Sequence, residues 1–130
     1  MAVRPTSPHL SVYRVRRYTL LTSGLHRMSG LVLSLGLIVL VYWLMALAAG
    51  PAVYAHAQAL LGLGVFKLLW LALLAAFCYH LCAGLRHLVW DSGRGMERAQ
   101  SRASAYLVMS AAALLFVALG WWLLAGRHAG

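Results

Sequence analysis

His80 stands inside a long apolar run, FKLLWLALLAAFCYHLCAGLRHL, far from any charge but Lys67 and Arg86 at its ends. An ionisable side chain in such surroundings is costly, so it is expected to be paired, liganded or lining a polar cavity. A neutral imidazole nitrogen is a good metal ligand. The alternative is a hydrogen bond that ties His80 to another helix and binds nothing. His80, Gly84 and His87 recur at i, i+4 and i+7, which places them on one helical face.

A second stripe with the same spacing lies in SGLHRMSG, where Ser23, Arg27 and Gly30 share a face and His26 and Ser29 lie close to it. A hydroxyl and a guanidinium one turn apart can hold a quinone carbonyl and stabilise the negative charge that reduction puts on its oxygen. Equally, Ser23 can serve as a helix N-cap and Arg27 as an interfacial anchor.

The elements that carry these stripes follow from composition. The chain has 130 residues, 63% of them hydrophobic, with 11 Lys and Arg against only Asp91 and Glu97, for a net charge of +9. Apolar stretches of twenty or so residues indicate membrane-spanning helices. In a soluble protein such a charge would suggest nucleic acid. Here the basic residues flank apolar spans, which points to membrane orientation and anionic headgroups instead.

The expected fold is therefore an all-α integral membrane protein with three transmembrane helices, forming a single membrane-anchor domain over residues 1–130. A polar arm over 1–22, marked by Arg4-Pro5 and Ser7-Pro8, precedes spans at 23–49, 64–88 and 103–124. Gly50-Pro51 breaks the first span, and 50–62 reads as a loop. Lys67 to Arg86 is about 29 Å of helix, close to the thickness of a bilayer core. Nine basic residues lie on the side of the arm and second loop, against Lys67 and Arg127 on the other. That asymmetry predicts a cytoplasmic N-terminus, a cytoplasmic second loop and a C-terminus on the opposite side. No cleavable signal is evident, because the first 26 residues lack an apolar core, and this favours a bacterial cytoplasmic membrane.

In this topology both polar stripes fall in the cytoplasmic third of the membrane. Helices joined by a short loop pack antiparallel, so the stripes can face one site. Histidine is a usual axial ligand for haem iron. Gly84 leaves room for a flat macrocycle, and Arg27, Arg86, His26 and His87 can pair with its propionates. The remaining polar residues read more plainly. Cys78 and Cys82 pack within a span, Asp91 and Glu97 solvate the second loop, His9 belongs to the arm, and His56 and His128 lie on the far side. The spans carry no carboxylate, which argues against a proton-coupled transporter.

The segments RPTSPHLSVYR, SGLHRMSG and YHLCAGLRHLVWDSG, in this order, resemble the cytochrome b membrane subunit of succinate dehydrogenase, the larger anchor of respiratory complex II. The motifs SxxHRxSG and HxxxGxRHLxxD carry the resemblance, which covers almost the whole chain. It implies haem b with His80 as an axial iron ligand, and ubiquinone held by Ser23 and Arg27. It also implies His26 near the haem propionates, with a weaker carry-over to His87 and Asp91. The implied partners are a second small anchor subunit that supplies the other axial ligand, an iron–sulfur subunit and a flavoprotein subunit. The chain has no GxGxxG loop and no cysteine cluster, so it is not expected to oxidise succinate itself. A fumarate reductase anchor and a purely structural anchor are the rival expectations.

Overall fold

The structure, a computed structural model, describes residues 17–126. Expectations for Arg4-Pro5, Ser7-Pro8, His9, Arg127 and His128 fall outside those residues. All regular structure among the described residues is helical: α1 (Arg17–Ala48), α2 (Pro51–Leu61), α3 (Gly64–Asp91) and α4 (Arg98–Gly126). Three of the four, over Leu20–Ala48, Gly64–Asp91 and Arg98–Gly126, are long and apolar enough to cross a bilayer. The 28 residues of α3 extend about 42 Å, so its ends reach beyond a hydrocarbon core of about 30 Å.

Side chains that would anchor a soluble core point outward instead. Ile38 is 66% exposed, Leu68 70% and Leu114 72%. Only lipid tails or partner helices can cover such surfaces. The buried positions are mostly small: Ala46, Cys78, Ala83, Ala105 and Ala112. Small residues let helix backbones approach where no hydrophobic effect drives them together. α3 is central, packing on α1 on one side and α4 on the other. At Gly36 a Cβ would collide with the side chain of Leu73, so that glycine sets how closely α1 meets α3.

Two segments differ from expectation. α1 already runs through Arg17 to Thr22, within the segment expected as an arm. The sequence RYTLLT contains no breaker, and the Thr22 hydroxyl bonds back to Tyr18 O at 3.0 Å. Ser23 is consequently inside a helix and is not its N-cap. The stretch 50–62, expected as a loop, is mostly the helix α2. Gly50 takes φ 107° to turn the chain, Pro51 starts the next helix with its φ preset, and Gly62 ends it. α2 buries Ala57 and Leu61 and packs on α1, where Tyr54 meets Trp43 edge-on at 5.9 Å. The Trp70 indole of α3 donates to Leu61 O at 3.1 Å and pins the connection. α3 and α4 also run beyond the expected spans, to Asp91 and from Arg98.

Candidate functional site

The polar side chains of α1 and α3 meet at one end of the bundle, where Thr22, His26 and Ser29 face Tyr79, His80 and His87. This face of α1 has i, i+4 and i+7 spacing, one residue out of step with the stripe Ser23, Arg27 and Gly30. Ser29 and Thr22 are buried, His26 and Ser23 are half-buried, and Arg27 is exposed. The two stripes of α1 thus divide. One is tied to α3, and the other leaves Ser23 and Arg27 open at its flank. Gly30 belongs to both, because a Cβ there would lie 3.1 Å from His80 Cε1. A methyl there would crowd the imidazole where it sits against α1.

His80 is held through one of its two ring nitrogens. Nδ1 lies 3.1 Å from Ser29 Oγ and 3.3 Å from the carbonyl oxygen of His26. The Ser29 hydroxyl donates to that same carbonyl at 2.9 Å. A carbonyl only accepts, and the single hydroxyl proton is already given away. The arrangement that satisfies all three contacts therefore puts the ring proton on Nδ1. Nε2 then keeps its lone pair, the form in which imidazole binds a metal.

His80 also closes the end of an open groove of about 720 Å³ between α1 and α3. Its walls include Gly30, Gly36, Leu33, Leu37 and Phe77, and His80 brings the only side-chain nitrogen among the lining residues. A smooth apolar wall with one imidazole suits a flat macrocycle carrying its own metal. It suits a bare ion poorly, since no group of three His, Cys, Asp or Glu side chains gathers for one among the described residues. The three histidines lie ring beside ring, His26 stacked on His87 and tilted at 32° to His80. The ring of His26 lies 4.3 Å from that of His80 and 4.8 Å from that of His87. His26 Nε2 is buried with no hydrogen-bond partner, an orphaned polar atom beside the His80 ring.

Arg86 differs from its expected place among groups facing an anionic ligand. It is buried, and its donors are committed to Thr22 on α1 and to Ser101 and Ser104 on α4. Trp90 lies under the guanidinium and turns its own N–H to Gly95 O at 3.1 Å. Asp91 and His56 are exposed. The sequence pattern pointed to Ser29 but not to Thr22, Tyr79, Ser101 and Ser104 as site-forming residues. The pair SxxS at the start of α4, opposite an arginine inside an apolar helix, was the available signal.

The fold and this site define a multi-pass membrane protein that gathers histidine, serine and arginine at one end of its bundle and leaves an apolar groove beside them. The family model described as succinate dehydrogenase/fumarate reductase transmembrane subunit matches residues 2–119. The chain belongs to that family. Among curated relatives, the succinate dehydrogenase cytochrome b556 subunit of Paracoccus denitrificans is 34% identical over 114 residues, covering 88% of this chain and 87% of that one. The corresponding subunit of Rickettsia prowazekii is 36% identical over 116 residues, covering 89% and 90%. The succinate dehydrogenase cytochrome b560 subunit of Reclinomonas americana is 37% identical over 123 residues, covering 91% and 84%.

Proposed function

We propose that this chain is the haem b-binding membrane anchor of a succinate:quinone oxidoreductase, passing electrons from an iron–sulfur subunit to ubiquinone. The observation that carries the reading is His80, whose Nδ1 is engaged by α1 and whose ring lines a largely apolar groove. The names of the relatives, cytochrome b556 and b560 subunits, support it.

His80 Nε2 would be one axial ligand, with Ser29 and the His26 carbonyl orienting the ring and raising its basicity. His26, with its unpartnered Nε2, Arg27 and His87 would receive the propionates. Haem b, when bound, would supply a one-electron redox centre. The second axial ligand would come from the other small anchor subunit. Ser23 and Arg27 lie on the open flank of α1, where a substrate can approach. They would donate hydrogen bonds to a quinone carbonyl. As two electrons arrive, charge builds on that oxygen, and the serine hydroxyl and guanidinium stabilise it until two protons complete the quinol. Succinate oxidation would belong to a flavoprotein subunit. The expected setting is a bacterial cytoplasmic membrane, with Ser23, His26, Arg27 and His87 towards the cytoplasm.

The family also includes fumarate reductase anchors, which would run the chemistry in reverse. The names of the relatives favour the succinate direction.

A reduced-minus-oxidised optical spectrum of the purified complex, repeated with His80→Ala, tests the assignment. A b-type band in the wild type that disappears in the variant is the expected result. A wild type without the band, or a variant that keeps it unchanged, would overturn the haem reading.

A further inference from the structure

Arg86 has only 8% of its surface exposed, although it belongs to a membrane-spanning helix. A buried cation is usually met by a carboxylate. This one is met by neutral groups. Nε donates to Ser104 Oγ at 2.9 Å, and Nη1 donates to Thr22 Oγ1 at 3.3 Å. Nη2 donates to Ser101 O at 2.9 Å and to Ser101 Oγ at 3.4 Å. The Trp90 ring centre lies 4.0 Å from the guanidinium carbon. All three nitrogens of the planar fork donate, and the fork joins α3 to both α1 and α4. What this geometry exploits is the shape of the group, because no partner in it is an anion.

The α1 end of the fork falls beside the open stripe. Thr22 immediately precedes Ser23, and Arg27 follows one turn after Ser23. The Tyr79 hydroxyl adds a second tie, donating to Thr22 O at 3.0 Å. Together these bonds fix how far α1 can roll about its own axis at this end. The roll sets where the Ser23 hydroxyl and the Arg27 guanidinium point.

We propose that Arg86 is a positioning residue for quinone. Through Thr22, it holds the first turns of α1 at the roll angle that aims Ser23 and Arg27 at one carbonyl oxygen. The proposal rests on the quinone reading above and adds a residue that touches neither quinone nor haem.

The test is made on the assembled complex, with succinate as donor and a short-chain ubiquinone as acceptor. Thr22→Val keeps the side-chain volume and removes the oxygen that Arg86 holds. It should raise the KM for the quinone about tenfold and lower kcat by no more than about twofold, since the donors are misaimed while the chemistry is intact. Thr22→Ser, which keeps the hydroxyl, should match the wild type. Arg86→Lys keeps the charge but cannot reach three directions, and it should share the raised KM. A merely structural role would lower the amount of active complex, and with it the maximal rate, but would leave KM alone. If Arg86→Lys fails to assemble, the two Thr22 variants decide. A wild-type KM in Thr22→Val, or the same defect in Thr22→Ser, overturns the proposal. A wild-type complex that reduces no quinone overturns the underlying reading instead, and the wild-type measurement alone reveals it.

Discussion

Ser29 Oγ and His80 Nδ1 lie 3.1 Å apart across the α1–α3 contact, and the same hydroxyl donates to the carbonyl of His26. The serine therefore acts as a relay. It accepts a hydrogen bond from the His80 ring N–H on one side and donates its own O–H to the backbone carbonyl on the other. Its burial keeps water from competing for either bond.

Ser29→Ala removes one acceptor for the His80 ring proton and leaves the longer contact to the His26 carbonyl. Outer hydrogen bonds of this kind change metal affinity by about 10- to 100-fold. Haem content per purified complex should fall when haem is limiting during growth, and the reduced b-type band should weaken with it. Full haem content under limiting supply would mean that Ser29 does not orient the ligand.

Ser23→Ala and Arg27→Gln should each depress quinone reductase activity, by up to about 10²-fold for a donor aimed at a developing oxyanion. Succinate oxidation by an artificial acceptor should stay at the wild-type rate, because that reaction does not need the membrane site. Two unchanged activities would remove Ser23 and Arg27 from the quinone assignment.

Gly36→Ala tests the helix contact away from the histidines. The added methyl meets Leu73, and overpacking of this sort costs about 1–3 kcal/mol. The complex should unfold at a lower temperature while its optical spectrum is retained. An unchanged Tm would show that Leu73 moves aside freely and that Gly36 does not set the α1–α3 distance.

Much of this arrangement could be read from residue order. The apolar runs before Gly50-Pro51, from there to Arg86-His87, and beyond Arg102 gave three membrane helices. The i, i+4, i+7 spacing brought His80 and Gly30 into one site. Local pattern could not tell which of two adjacent stripes on α1 would turn inward. Thr22, His26 and Ser29 do so because Tyr79, His80 and Arg86 offer them partners across the helix contact. α2 was missed because a short uncharged stretch between glycines reads as a loop. Its helix is held by tertiary contacts through Ala57 and Leu61. Arg86 looked like an interfacial charge because its acceptors lie 15 and 18 residues away on another helix.

The fork of Arg86 has a consequence for the order in which the protein is made. Two of its three anchoring residues, Ser101 and Ser104, lie on α4, which leaves the ribosome after α1 and α3. The pairing of Ser29 with His80 needs only α1 and α3, so it can form while synthesis is still under way. The bond from Arg86 to Thr22 can form then as well, but the other arms of the fork find Ser101 and Ser104 only once α4 has entered the bilayer. A nascent chain that has released only α1, α2 and α3 holds the histidine ready but ties Arg86 to α1 alone. Synthesis of α4 is thus the step that completes the hold on the Ser23 turn.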